Sequence, residues 1–578
     1  MSGEVRPDAH DGRHDDRHDD RHDDRHDDAP APQRPRGRGL RVVSGLGVLA
    51  LAAAVVVGGT RMTDAADAAV PPGAGARAVG VGATDTVLVC AGPLVEPEGT
   101  GGDAAFDPTP VAPETSVDLV TAADGTGPGP GTVTGLDGTA TLAGLPAGGG
   151  SAVLTGPEAP VVLRAAPGAA AAVAAGTTST VTAAGDLRGL AAASCRRPAA
   201  DLWLVGGATE LDSTDVLVVQ NPGSTPVTVG LSAWGASGPL TPGTDGLVLA
   251  PRSEERLPLG GVLDPQRLLA LHLVADGGRV AAHVQDSRLR GFTAGGTDLV
   301  VPGAAPATRQ VLPGLDVLAT AAGDADGPVL RLLAPERATT ARITLLGPDG
   351  PATLAGADTA SLATGEVVEV PLAGLPAGAW TVVVDADAPV VAGALVTRPG
   401  AADPLDPATS TLERAWVAST TPAADAVVAL PAGTTARVVL AAVPAGELDP
   451  VPLDVAAEGL PVDVTDAADG AEDAAAAAPD VTGVLEGLDA QGRVVGTVDL
   501  RLGAGTGVPV DAGGLPDGTV AVRVRVADGT AGGTAPAWAA VVTQEREHGT
   551  FVSVLQPVPA PAAQGAVAVA DARGPGLG

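Results

Sequence analysis

The chain of 578 residues contains no lysine and no tyrosine; all 34 of its basic residues are arginine. Acid/base chemistry beyond the N-terminal region is thereby confined to Asp, Glu and the three histidines His272, His283 and His548. Aromatic residues make up 1 % of the chain, so its cores must be built from Ala, Val and Leu. A stacking platform for bases or sugars is disfavoured on the same count. Against the 34 arginines stand 68 Asp and Glu, a net charge of -34, and such a surface repels phosphate backbones. A nucleic-acid partner is therefore excluded. The sequence also lacks a Gly-x-Ser-x-Gly elbow, a His-Glu-x-x-His helix and a phosphate-binding loop. No catalytic or cofactor-binding residue and no metal ligand is assigned, and the chain reads as a non-enzyme.

One long apolar run is present. Val42 to Thr60 carries no charge, is entered through Arg34, Arg36, Arg38 and Arg41, and is followed by Arg61. About 19 uncharged residues suffice to span a bilayer or to act as an export signal. The arginines keep the N-terminus cytoplasmic and send the remainder outside. The run is either a retained anchor in the cell membrane or the core of a cleaved signal peptide. Ala66-Asp67-Ala68 has the small-x-small form that a peptidase requires, and cleavage would yield a secreted protein. Ahead of it, Arg-His-Asp-Asp occurs four times between Arg13 and Asp28. His14, His18, His22 and His26 would share one helix face, as a metal site or pH switch needs. Asp is a poor helix former and no apolar face is available, so a solvated tail is the preferred reading.

Only two cysteines occur, Cys90 and Cys195, both beyond the apolar run. In an oxidising exterior they form a disulfide most simply; two buried thiols are the alternative. From about residue 84 short apolar runs are cut by the abundant Gly and Pro, a pattern of strands and turns. Val520 to Val526 alternates Val with polar or small residues, as a half-buried strand does. Val216 to Val219 and Thr381 to Val384 are continuous and suit strands buried on both faces.

An internal repeat accompanies them. Gly144-Leu145-Pro146-Ala147-Gly148 recurs as Gly374-Leu375-Pro376-Ala377-Gly378 and Gly514-Leu515-Pro516-Asp517-Gly518, with Gly261-Val262-Leu263-Asp264-Pro265 as a looser copy. Each is followed by two strand-like runs around an acidic turn, which predicts a hairpin. Leu217 to Gly223 and Leu330 to Pro335 form a second shared element. Copies spaced by roughly a hundred residues are the size of a sandwich domain. The expectation is an all-β fold of tandem immunoglobulin-like β-sandwich modules after a single N-terminal transmembrane helix. The expected segments are a disordered tail at 1–39, the transmembrane helix at 40–60, a linker at 61–83, modules at 84–198, 199–300, 301–402 and 403–555, and a disordered tail at 556–578.

His272 and His283 flank the turn Ala275 to Gly278 and would face each other across a hairpin, with Asp276 or Asp286 close by. A metal or acid/base pair is one reading; two strand residues without a third ligand or nucleophile is the preferred one. Asp324-x-Asp326-Gly327 is a fragment of a calcium loop that lacks the downstream Glu. Asp466 to Asp473 reads as a solvated acidic loop.

Cys195, Asp201-Leu202-Trp203-Leu204-Val205-Gly206-Gly207 and Val218-Val219-Gln220-Asn221-Pro222-Gly223 resemble an uncharacterised exported family of high-GC actinobacteria, domain of unknown function 5719. Asp387 to Gly393 fits the same pattern, and the resemblance spans most of 85–555. It implies an envelope protein, membrane-anchored or secreted, whose relatives tend to be encoded near a cell-envelope glycosyltransferase. Such an enzyme or the wall polymer is then the expected partner. Trp203 reads as a core plug beside the disulfide. A secreted carbohydrate-active hydrolase is the alternative function, and it would gather two or more of Trp203, Trp234, Trp380, Trp416 and Trp538 around a cleft with paired acids.

Overall fold

A computed structural model describes residues 82–95, 111–124, 127–244, 246–403, 407–453, 481–526 and 533–561, together with the backbone of two short strands, Ala76–Gly80 and Ala566–Ala570, which pair with each other. The apolar run Val42 to Thr60, the repeat Arg13 to Asp28 and the acidic stretch Asp466 to Asp473 lie outside the described residues. Among the described residues there is no α-helix, and no helix is long and apolar enough to cross a membrane.

The strands form β-sandwiches in which apolar side chains alternate inward. In Ala521–Val526, Val522 and Val524 are fully buried, while Arg523 and Arg525 point the other way to Asp425 and Glu486. The second sandwich shows the plan in full. Its eight main strands are Asp201–Val205, Val216–Asn221, Val227–Gly235, Gly238–Leu240, Ser253–Pro258, Ala270–Asp276, Ala281–Arg290 and Thr293–Val300. One sheet has the order first, sixth, third, fourth; the other has the order fifth, second, seventh, eighth. The same two orders recur in the first sandwich (Thr86–Cys90 through Gly189–Ser194), the third (Ala307–Val317 through Ser410–Ala418) and the fourth (Asp425–Ala429 through Gly549–Leu555). In the third, the single long strand Gly378–Ala402 serves as both sixth and seventh. The second–fifth and third–sixth pairings are those of an immunoglobulin sandwich, but the first strand here joins the sixth and the seventh joins the second.

Several expectations need correction. The acidic turns Ala275 to Gly278 and Asp385 to Pro389 do not close hairpins; Ala527 to Gly529 lies outside the described residues. The first two join sixth and seventh strands, which pair with different neighbours in opposite sheets. A tight turn and two apolar runs look alike whether the chain returns to the same sheet or arches across to the other. Gly144 to Gly148 is also out of step. It follows the fourth strand of its sandwich, whereas the copies at 261–265, 374–378 and 514–518 follow the fifth. The shared element at Leu217 and Leu330 does fall on equivalent second strands. The third sandwich runs beyond residue 402, because Ser410–Ala418 pairs with Gly378–Ala402.

Residues 80–567 form one compact unit. The eighth strands account for its cohesion. Gly189–Ser194 packs on Thr293–Val300, that strand on Ser410–Ala418, that on Gly549–Leu555, and the last returns to Gly189–Ser194, so four edge strands close a ring. Close approach at the crossings demands small residues. A side chain at Gly296 would press into the Arg414 side chain and the Leu412 carbonyl, and its φ of 94° is in any case glycine's.

Candidate functional site

The ring of eighth strands encloses a buried polar cluster rather than an apolar plug. Asp298, 1 % exposed, lies on the second sandwich's eighth strand and is bonded from the other three sandwiches. Its Oδ2 accepts the Trp416 backbone N–H at 2.7 Å, and its Oδ1 lies 2.9 Å from Ser553 Oγ. Ser553 Oγ is also 3.1 Å from the Ala192 carbonyl oxygen. A serine hydroxyl has one proton. If it goes to the Ala192 carbonyl, the bond between Ser553 and Asp298 requires a proton on Asp298. Burial supplies the reason: it pushes Asp298 up to about 8, against the backbone groups of Trp416, Leu299 and Ala192 and the Ser553 hydroxyl, which pull it down.

A second cluster adjoins it. Asp286, fully buried, accepts Trp416 Nε1–H at 2.5 Å and pairs with Arg414 at 2.7 Å. Burial pushes its carboxyl up, but Arg414, the Trp416 N–H, Arg331 and Asp215 bring it below the ordinary range. Asp215 moves the other way, raised by burial and by the charge of Asp286. The Oδ1 atoms of both acids lack a donor if both are ionised. One proton held by Asp215 and given to Asp286 satisfies the pair. Arg331 donates to Glu369 and to the carbonyls of Gly207 and Arg267, and its guanidinium lies 5.0 Å from the Trp416 ring. On the far side Arg188 pairs with Glu413, a carboxyl that burial raises to about 7 in spite of that arginine. With Asp215 and Asp298 neutral and Glu413 ionised, as just above pH 7, Arg188, Arg331 and Arg414 face Glu413, Glu369 and Asp286, and the charges balance. Trp416 seals the junction by entering the second sandwich's core, a path that a side chain at Gly206 would obstruct.

The residues singled out from sequence are placed elsewhere. Cys90 and Cys195 are joined as a disulfide across 105 residues, inside the first sandwich's core. Replacing both by serine is expected to cost about 2–5 kcal/mol, measured as a shift in unfolding midpoint against the oxidised parent. Trp203 is buried but is not beside that disulfide. It packs with Leu333 and Val391 of the third sandwich and stacks on Trp234 and His272, at 5.3 and 4.0 Å. His272 Nε2 lies 3.1 Å from Asp201, on the sixth strand. His283 is on the seventh strand in the opposite sheet, where burial pushes it down to about 4. The two histidines therefore do not face each other across a hairpin. His548 contributes its carbonyl to Arg188. Asp324 caps its own turn by accepting the Asp326 N–H, and Asp326 pairs with Arg290. Trp380, Trp416 and Trp538 are buried in separate places, so among the described residues two of the five tryptophans cluster, and they line neither of the surface clefts of about 740 and 510 Å³.

A surface cleft of about 740 Å³ lies between the first and second sandwiches. Its wall is the Asn-Pro-Gly turn. Asn221, fully buried, accepts the Gly223 N–H and donates to the carbonyls of Thr225 and Ala250, tying that turn to the next one. The second turn holds Arg252, whose N–H donates to the Gly223 carbonyl. Arg164, Arg197 and Arg279 join Arg252 in the lining, with Asp85 as the acid. Sequence reading missed both this cleft and the buried clusters. The available signal was charge inside apolar strands, as in Leu412-Glu413-Arg414-Ala415-Trp416.

No curated protein and no solved structure matches the chain. Residues 151–458, just over half of the sequence, match the family described as "Family of unknown function (DUF5719)", a narrower span than the 85–555 of the motif resemblance, and the chain belongs to that family.

Proposed function

We propose that this is an envelope protein held in the cell membrane through Val42 to Thr60, whose sandwiches form a non-enzymatic scaffold for a cell-wall or surface-polysaccharide process. The observation that carries the reading is the closed ring of eighth strands. Its acids and arginines are buried against one another, and their bonds hold the four sandwiches in fixed relation. Charged groups spent on each other in a packed interior support rigidity, not turnover of a substrate. The run of arginines before Val42 supports an exterior location for the sandwiches, and a disulfide suits that compartment.

Cross-linking of the full-length protein in intact native cells, followed by membrane purification and mass spectrometry, tests this. An envelope glycosyltransferase or wall polymer is expected to come with it. A partner-free ectodomain recovered from the medium sinks the proposal.

A further inference from the structure

The cleft between the first and second sandwiches is a cationic site on an acidic protein. Four arginines line it against one aspartate, in a chain of net charge -34. Among the described residues none of the four is in a salt bridge, although Arg252 lies beside Gly138 within reach of the Asp137 charge, and most other arginines of the sandwiches are paired. Arg164 and Arg197 are each held by a backbone carbonyl, those of Pro222 and Pro559, at 3.0 and 3.2 Å. A carbonyl orients a guanidinium without neutralising it, and leaves most of its five donors free.

Arg252 adds an independent observation. Its φ of 55° is the one positive value at a non-glycine among the described residues. That conformation is unfavourable for a long side chain, and Gly or Asn would relieve it. The turn is over-determined by Asn221 and the Gly223 carbonyl, so the arginine is held there against its own backbone preference.

We propose that this cleft binds a phosphorylated saccharide. Guanidinium forks match phosphate oxygens, and four of them suit a ligand carrying more than one negative charge. A volume of about 740 Å³ exceeds what a bare phosphate fills and falls in the range of small-molecule sites. No aromatic ring lines it, so the body of the ligand is not a stacked base. Asp85 and the Ser224 hydroxyl offer partners for sugar hydroxyls. The concave form of the cleft and the chain's net charge of -34 disfavour an extended anionic bilayer. This site stands on its own geometry and goes beyond the scaffold reading.

Calorimetric titration of the full-length protein with glucose 1-phosphate tests it, with glucose and inorganic phosphate titrated alongside. Saturable binding of the sugar phosphate is expected, at least tenfold tighter than inorganic phosphate, with none for glucose. Arg252→Ala combined with Arg279→Ala is expected to weaken it tenfold or more. Arg342→Ala, an exposed arginine outside the cleft, leaves it unchanged. Arg252→Gly is expected to raise the melting temperature while lowering affinity, a split that a merely structural arginine does not produce. No saturable binding at millimolar sugar phosphate, or equal loss in Arg342→Ala, overturns the site. Equal affinity for inorganic phosphate overturns the saccharide. Stronger, Arg252-dependent binding to phosphatidylglycerol vesicles overturns it in favour of a membrane surface.

Discussion

Lowering the pH from 8 to 6.5 is expected to stabilise the protein, with Asp298 contributing about 2 kcal/mol of the gain. Burial raises this carboxyl from 3.8 to about 8 in the folded protein. Between those values the folded chain holds a proton that the unfolded chain releases. The contribution is therefore complete below pH 4 and is lost as pH rises through 8. Glu413, raised by burial to about 7, and Asp215, raised by burial and by Asp286, act in the same direction. His283 opposes them. Burial lowers it to about 4, so its contribution is lost as pH falls from 6.5 to 4. Stability should thus climb from pH 8 to 6.5, and below that His283 offsets part of the further gain from the three acids. Asp298→Asn keeps an acceptor for the Trp416 N–H and a donor for Ser553, and cannot titrate. Melting curves across pH 5–9 should show a shallower slope between 6.5 and 8 in this variant than in the parent. Identical slopes would mean that Asp298 is ionised in the folded state, and the proton placed between it and Ser553 would be wrong.

How much of this was legible in the sequence follows from the reach of each signal. Strand content was legible, because alternation at Val520 to Val526 and continuous burial at Val216 to Val219 are local consequences of a pleated backbone. The tandem repeat was legible where turn chemistry is shared, at Leu217 and Leu330. Sheet membership was not. Ala270–Asp276 and Ala281–Arg290 are separated by a turn that looks like a hairpin, yet each is central to a different sheet. The buried cluster was further out of reach. Asp298 meets Ala192, Trp416 and Ser553 across 106, 118 and 255 residues, and no window of sequence contains two of them. What the sequence does carry is a pair of glycines, Gly295 and Gly296, inside an otherwise strand-like run ending in Asp298. In a strand such glycines mark a close backbone approach, which here is Arg414 of the neighbouring sandwich. The arginine cleft was hidden for a related reason. Arg164 lies in a central strand and Arg197, Arg252 and Arg279 in three separate connections, and only the packing of two sandwiches gathers them.

Arg414→Met is expected to cost about 3–5 kcal/mol, the usual penalty for stripping one partner from a buried ion pair. Asp286 is fully buried, and Arg414 is its direct cation at 2.7 Å. Methionine keeps an apolar stem beside Trp416, so the loss reports the charge and not the packing. Arg331 lies near but is already committed to Glu369 and two carbonyls. The abandoned carboxylate will therefore take up a proton, and Asp215 already holds the one they share. Two consequences separate this account from a simple packing defect. The loss should shrink as pH falls, because a protonated Asp286 needs no cation. Combining Arg414→Met with Asp286→Asn should recover part of it, since the amide oxygen still accepts the Trp416 indole N–H and leaves no bare charge. Denaturant unfolding of the two single variants and the double variant gives the coupling. A strictly additive cycle, or a loss independent of pH, would show that the pair does not hold the second and third sandwiches together. The rigidity assigned to the ring of eighth strands would then have to come from its apolar contacts alone.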